Sequence, residues 1–277
     1  MHDFNQAIAS FSNRPLEQRA HWYSPSALAY DKTRPRYPAG LIAHVAHLTR
    51  LSSFSKLLEV GCGPGTATTA FAGFECSIVC VEPNPDFCEL ARKNCQPFQN
   101  VMIKQSSFEE WPLEQSAFDI VVSASAFHWI QPAVGYPKVA DALCDNGYLV
   151  LLWNKEPQPT YTVWTLFAEV YNQLGLPSLG QYQTEETQQD MLFALAQPAI
   201  DSGLFKEVSL NQMKIDVNYT ADDYILLLNS FSPYLSLDES VRTNLFTALR
   251  SKIHDDLNGC IDLSYISATT IYQKVIA

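Results

Sequence analysis

The chain has 277 residues, 47% of them apolar and 17% charged, which is enough apolar material for a buried core and excludes an intrinsically disordered chain. Its formal net charge of −11, from 18 basic and 29 acidic residues, leaves no basic stripe to meet a phosphate backbone, so nucleic acid is not the expected partner. No run approaches the roughly 18–20 apolar residues that span a bilayer, and no membrane partner is expected. The opening MHDFNQAIASFSNRP has neither the basic nor the apolar region of a secretion signal. Seven cysteines without C-x-x-C spacing fit neither a disulfide framework nor a zinc site. Cys62, Cys80 and Cys144 read as small core residues, no metal is expected, and the expected location is the cytoplasm. Internal repeats and linker-like tracts are absent, which favours one compact unit. The oligomeric state is not encoded in any of these features.

In chain order, residues 1–48 read as an N-terminal helical cap. It holds Trp22, Tyr23, Tyr30 and Tyr37 together with the one local basic excess: Arg14, Arg19, Lys32, Arg34 and Arg36. Lys56–Val60 (KLLEV) reads as a buried strand, punctuated by Gly61-Cys-Gly-Pro-Gly65, with a helix starting across Thr66–Ala72. A second strand, Ser77–Val81, ends in Glu82-Pro-Asn-Pro and leads into a helical pattern over Asp86–Cys95. Val101–Lys104, Phe118–Ser123 and Gly147–Trp153 read as further strands. Strands alternating with helices imply right-handed crossovers and a doubly wound parallel sheet.

The second half carries a helix over Tyr161–Leu174 and two capping-box spacings, Thr220-x-x-Asp223 and Ser236-x-x-Glu239. Val241, Leu245, Leu249, Ile253 and Leu257 recur every four residues, one buried stripe that Gly259 should end. Ile261–Val275 reads as one long or two short strands. The organisation expected is therefore a main domain over 49–277, with cap insertions near 157–198 and 219–258.

Glu59-Val-Gly61-Cys-Gly63-Pro-Gly65 sits where a parallel strand delivers its ligand. Glycines there let the backbone approach a bound molecule with no Cβ in the way. The competing dinucleotide pattern G-x-G-x-x-G asks for a third glycine where this chain has Thr66, which disfavours a pyrophosphate. Glu82 ends the second strand, and an acid at that point can accept both ribose hydroxyls of an adenosine. The alternative for Glu82 is a carboxylate favouring the dipole of the helix beginning near Asp86.

At this point the chain resembles the class I S-adenosylmethionine (SAM)-dependent methyltransferases. The resemblance is carried by LLEVGCGPGTATTAFA (57–72), CVEPNPDF (80–87), QSSFEEWPL (105–113), FDIVVSASAFHWI (118–130) and LCDNGYLVLLWN (143–154). DKTRPRYP (31–38) is further similar to the cap of a small-molecule subgroup that includes trans-aconitate methyltransferase-like and other carboxylate O-methyltransferases. The resemblance implies a Rossmann-like, seven-stranded, doubly wound sheet with helical caps, a three-layer α/β/α arrangement, with SAM as cofactor. It implies that Gly61, Gly63 and Gly65 line the methionine part of SAM with Glu59 beneath the turn. Glu82 would hold the ribose, Pro83 would lie on the adenine, and Phe108 would stack on the ring. Ser107 stands where family members often carry an Asp for the adenine amine, and Ser123 would contact the methionine side through its backbone. Arg34 is a candidate for the SAM carboxylate, with Tyr30 closing over it.

Substrate chemistry is expected around Ser125–Trp129, at the same sheet edge. Trp129 is a candidate to face the cationic methyl donor, against the alternative that it packs a helix. His128 is a candidate general base for a hydroxyl acceptor, against the alternative that it orients loop backbone. A carboxylate acceptor is already ionised at pH 7 and needs no base; Arg34 or Arg36 would clamp it. Trp22, Tyr23 and Tyr30 complete the candidate acceptor wall. Trp164, Phe167, Tyr171 and Phe231 are further wall candidates for which core packing is the simpler account. The expected function is methylation of a small molecule at a carboxylate or hydroxyl oxygen. The alternatives are a non-catalytic SAM-binding regulator and an NAD(P)-dependent oxidoreductase, which would use a similar sheet.

Overall fold

The computed structural model describes residues 12–276. The first eleven residues of the expected cap, which also open the stretch read for a secretion signal, lie outside the described residues. The short helices α1 (Leu16–His21) and α2 (Ala27–Thr33) precede α3 (Ala39–Thr49). The sheet then builds in the predicted alternation: β1 (Lys56–Val60), α4 (Thr68–Ala72), β2 (Ser77–Glu82), α5 (Pro85–Asn94), β3 (Val101–Gln105), β4 (Phe118–Ala124), α6 (Pro132–Ala142) and β5 (Leu143–Asn154). The remaining elements are β6 (Gln158–Pro159), α7 (Tyr161–Gln173), α8 (Glu185–Asp201), β7 (Phe205–Thr220), α9 (Ala221–Leu228), α10 (Ser232–Leu235), α11 (Glu239–Leu257) and β8 (Cys260–Lys274). No helix among the described residues is long and apolar enough to cross a membrane.

The strands run in the order β3-β2-β1-β4-β5-β8, with β7 on the far side of β8 and the short β6 extending the β5 edge. β1 to β5 are parallel; β8 is antiparallel to β5, β6 and β7. The parallel strands are apolar on both sides because both faces are covered. Leu58, Val121, Leu149 and Leu151 pack with α6 and α8, while Leu57, Ile120, Val150 and Leu152 pack with α3 and α4. Each such side chain, fully withdrawn from water, contributes about 1.5–3 kcal/mol. The chain winds from β1 outward to β3, then returns to place β4 on the other side of β1. A crevice therefore opens beyond the carboxyl ends of β1 and β4, where the direction of winding reverses.

The second half departs from the sequence reading in several places. No element was expected over α8 or β7. α8 belongs to the sheet, with Leu192, Ala196 and Ala199 in the main core and the Tyr272 hydroxyl donating to the Ala196 carbonyl at 2.8 Å. β7 is a mostly polar edge strand, and its Lys206 and Lys214 are the kind of charge that keeps an edge from pairing with another chain. The last segment forms one long strand. β8 and β7 together project past the sheet, and α7, α9, α10 and α11 gather on that projection in a core of their own, around Phe167, Tyr224, Leu245 and Leu249.

The Thr220 cap forms as expected, its hydroxyl accepting from Asp223 N at 3.1 Å. The Ser236 cap does not form: Asp238 opens α11, and the Ser236 hydroxyl turns back to the Ser232 carbonyl. Asn258, at φ 54°, and Gly259, at φ 80°, together turn the chain out of α11, the Gly259 N–H donating to the Ile253 carbonyl at 3.0 Å. Of the seven cysteines, Cys62 and Cys80 are buried and Cys144 is half-buried.

Candidate active site

Where β1 ends, Gly61 turns the chain at φ 71° and its N–H donates to the Val81 carbonyl at 2.8 Å. A Cβ on Gly61 would lie 2.5 Å from the Ala126 Cβ, so the turn and the loop after β4 approach as closely as they do only because this residue is glycine. Two residues on, the Gly63 N–H donates to Glu82 Oε2 at 2.9 Å, and the Asn84 N–H donates to Glu82 Oε1 at 2.9 Å. Burial pushes the Glu82 carboxyl up to about 7, while the Asn84 and Gly63 N–H groups hold it down. Each Glu82 oxygen keeps an acceptor site beyond its backbone bond, the requirement for receiving two vicinal hydroxyls.

Around this pair opens a cavity of about 1180 Å³, mouth included. Its floor is the Gly61–Pro64 turn; Glu82, Pro83, Ser107 and Phe108 close one end, and Ala124–Ala126 and Asn154–Lys155 the other. The cap supplies Arg19, Tyr23, Tyr30, Arg34 and Tyr37. Tyr23 meets Trp129 edge-on at 5.8 Å and stacks near Phe87 at 5.9 Å, and Tyr30 meets Phe87 at 5.1 Å. Ser125 is held at φ 53°, its hydroxyl bonded to the Tyr37 hydroxyl at 2.9 Å and accepting from Asn154 N. A non-glycine residue fixed in that region at the cavity wall marks a place where the fold accepts backbone strain.

The sequence candidates divide accordingly. Gly61, Gly63, Glu82, Pro83, Ser107, Phe108, Tyr23, Tyr30, Arg34 and Trp129 all face the cavity. Gly65 does not; its Cα faces α5, where an added Cβ would lie 3.2 Å from Cys95 Sγ. Glu59 lies fully buried beneath the turn, accepting from the Thr68 hydroxyl at 2.6 Å, and burial lifts its carboxyl to about 8. Ser123 is fully buried inside β4 with its hydroxyl on the Val60 carbonyl, so Ala124 and Ser125 form the wall there. The Ser107 hydroxyl donates to Glu110 Oε2 and accepts from Glu110 N, so it serves its own turn first.

Arg36 points away, paired with Asp31 at 3.3 Å and bonded to the Thr66 hydroxyl at 3.0 Å. Trp22 stands behind Trp129, its indole N–H on the Ser232 hydroxyl. His128 lies outside the cavity wall, with Trp129 and Trp153 rings each 5.5 Å away. Burial, and then the charges of Lys155 and Arg34, bring its imidazole down to about 4, so it is neutral at pH 7.

Several cavity residues escaped the sequence reading. Arg19 reaches across the opening to Glu109 at 2.7 Å, an ion pair with only 10% and 16% of the side chains exposed, and its guanidinium also donates to the Trp129 carbonyl. Nothing in the sequence separates Arg19 from the other cap arginines. Lys155 follows β5 at the same sheet edge as the glycine turn, and burial lowers its pKa, partly offset by Glu156. The rule that ligands gather at carboxyl ends of parallel strands would have flagged it. Arg34 donates to the Ser230 hydroxyl at 2.8 Å and carbonyl at 2.6 Å, its guanidinium carbon 4.7 Å from the Tyr30 ring centre and 4.0 Å from that of Phe231.

The glycine turn, the acceptor pair on Glu82 and the Pro83–Phe108 slot fit SAM by donor count and by the space a Cβ would fill. Residues 58–151 match a protein family described as a methyltransferase domain. Residues 58–151 are thus similar to a methyltransferase domain, on a fold and around a site that fit SAM as cofactor. The chain is 32% identical over 126 residues to an uncharacterized methyltransferase of Mycobacterium tuberculosis (46% of this chain, 49% of the relative). It is 31% identical over 126 residues to an uncharacterized methyltransferase-like protein of Schizosaccharomyces pombe (45% and 48%). The matches thus span about half the length of these relatives. Among solved structures, a candidate type II methyltransferase from Anaeromyxobacter dehalogenans superposes with a TM-score of 0.61 at 16% identity, over 86% of this chain and 97% of that one, which shows the shared fold.

Proposed function

We propose that the protein transfers the methyl group of SAM to a small organic acceptor, with a carboxylate as the first choice of nucleophile and a hydroxyl as the second. The observation that carries this reading is the pairing of Lys155 and Arg34 on the cavity wall with the exclusion of His128 from it. Two of the wall's cations, Arg34 and Lys155, suit two anions, the carboxylate of SAM and an anionic acceptor. A carboxylate is ionised at pH 7 and needs no proton removed, so the absence of an imidazole from the wall among the described residues costs that reaction nothing.

When bound, SAM supplies an electrophilic methyl group on a positive sulfur. On this reading Glu82 accepts from the ribose hydroxyls, Pro83 and Phe108 hold the adenine, and Arg34 draws the methionine carboxylate. Tyr23, Tyr30 and Trp129 present aromatic surface to the positive sulfur and exclude water from the reacting line. Lys155 orients the acceptor's charge, and alignment of the two substrates supplies most of the remaining rate. Residues 12–48, with α1 and α2 over the opening, act as the lid of this site, and α7 with residues near 219–258 as its flanking caps, whereas α8 packs on the sheet.

The test is calorimetric titration with SAM, with NAD as control, followed by mass-spectrometric screening of small carboxylic acids and phenols for methyl transfer. Micromolar SAM binding, absent for NAD, with a methyl ester as product supports the reading. Failure to bind SAM overturns it, and SAM binding with no transfer to any acid or phenol returns the case to a non-catalytic SAM-binding protein.

A further inference from the structure

Behind Pro157, which it shares with the first cavity, lies a second cavity of about 770 Å³, mouth included, enclosed by α7, the segment following it, α9 and α10. Six aromatic side chains wall it: Trp164, Phe167, Tyr171, Tyr224, Phe231 and Tyr234. Among the described residues, no Lys, Arg or His lines it, and the one charge there is Glu156. Two cations of the first cavity lie beside it: Lys155, adjacent in the chain to Glu156, and Arg34, whose guanidinium rests on Phe231.

Hydrogen-bond inventory separates this cavity sharply from its neighbour. The Trp164 indole N–H is taken by the Gly180 carbonyl at 2.7 Å, and the Gln181 amide donates to the Pro177 carbonyl. The Tyr171 and Tyr234 hydroxyls bond each other at 2.7 Å. Two acceptors stand out among the polar groups that remain. Gln183 Oε1 is buried with no partner among the described residues. The Glu156 carboxylate makes no ion pair among them, and its charge acts on Tyr171, Tyr224 and Tyr234, raising each phenol further. An anion finds no cationic side chain among the described lining residues. A cation finds ring faces, a carboxylate and a spare carbonyl, which is the set that stabilises an organic ammonium.

We propose that this second cavity is a binding site for an alkylammonium group, held by the aromatic walls and the Glu156 carboxylate, with Gln183 Oε1 accepting an N–H or O–H of the ligand. The site does not depend on the methyl-transfer reading, because it uses none of the SAM-facing side chains.

Choline and its neutral isostere 3,3-dimethylbutan-1-ol serve as probes, titrated by calorimetry and by tryptophan fluorescence, with Trp164→Phe locating the signal. SAM binding, measured on the same samples, reports the first cavity and the integrity of the fold, so failure of one site is distinguishable from failure of the other. Choline should bind at least about tenfold more tightly than the isostere. Glu156→Gln should abolish that preference and Gln183→Leu should weaken choline, both leaving SAM affinity unchanged. Absence of saturable choline binding, equal affinity for the two probes, or a preference that survives Glu156→Gln overturns the proposal.

Discussion

The Gly63 N–H donates to the Glu82 carboxylate at 2.9 Å, joining two residues 19 apart in the chain and at the ends of neighbouring strands. With the Asn84 N–H on the other oxygen, the carboxylate is fixed by backbone alone. Its remaining acceptor sites therefore face the cavity in a set orientation before any ligand arrives, which lowers the ordering cost of binding.

Removing that carboxylate with Glu82→Ala should weaken SAM by at least about tenfold, through the loss of two hydroxyl partners. The carboxyl is raised to about 7 by burial, so it is ionised above that pH and protonated below it. Ribose hydroxyls donate best to the ionised form. SAM affinity should thus be full at about pH 8 and fall as the pH drops below about 7, while Glu82→Gln should be weak and flat. Calorimetry across that range checks both statements.

Gly61→Ala places a methyl 2.5 Å from the Ala126 Cβ and holds it at φ 71°, whereas the nearest atom to a Cβ on Gly63, Phe87 Cδ2, is 4.0 Å away. Gly63→Ala should cost about 1–2 kcal/mol, from the left-handed backbone alone. Gly61→Ala should cost more and displace the loop after β4, lowering SAM affinity as well. Paired thermal melts and SAM titrations distinguish the two; equal losses would show that the contact with Ala126 relaxes without effect.

Arg19 joins the cap to both rims of the crevice, through Glu109 after β3 and the Trp129 carbonyl after β4. The ion pair is largely shielded from solvent, so Arg19→Met should destabilise by about 3 kcal/mol, most of it from leaving Glu109 buried without its counter-charge. Pairing it with Glu109→Gln should recover a large part of the loss in a double-mutant cycle. If the double variant is as unstable as the sum of the singles, the two side chains are not coupled.

His128 should be dispensable for proton transfer. With its pKa brought down to about 4 by burial and two nearby cations, and the ring outside the cavity wall, His128→Asn should keep methyl transfer to a carboxylate within about tenfold of wild type. A general base would lose about 10²–10⁴-fold. The same burial makes a stability prediction. The unfolded state takes up a proton near the ordinary pKa of 6.5 and the folded state only near 4, so stability is full above about 6.5 and declines as the pH falls toward 4. That acid sensitivity should shrink in His128→Asn, as read from melting temperatures at about pH 4.5 and 7.5.

The sequence by itself determined the five parallel strands, the glycine turn and Glu82. Those rest on short-range signals: apolar runs of strand length, glycines at forced turns, and an acid at a strand end, each of which local chemistry dictates. It also carried the Thr220 cap and the buried Leu245–Leu249–Ile253 stripe of α11. It was silent on β7, whose polar alternation reflects an edge with little to bury, and on α8, whose apolar residues run consecutively over 191–196 and so mark no single face.

Only the tertiary structure decided which side chains share the cavity. Arg36 and Arg34 are two residues apart, yet one pairs with Asp31 at the surface and the other is sandwiched between Tyr30 and Phe231. Arg19 finds Glu109 ninety positions away, Lys155 joins the wall because β5 ends there, and the Ser107 hydroxyl closes its own turn. Local sequence fixes how a segment folds, whereas the neighbours of a polar side chain depend on which distant segments the sheet order and the caps bring within about 3 Å of it.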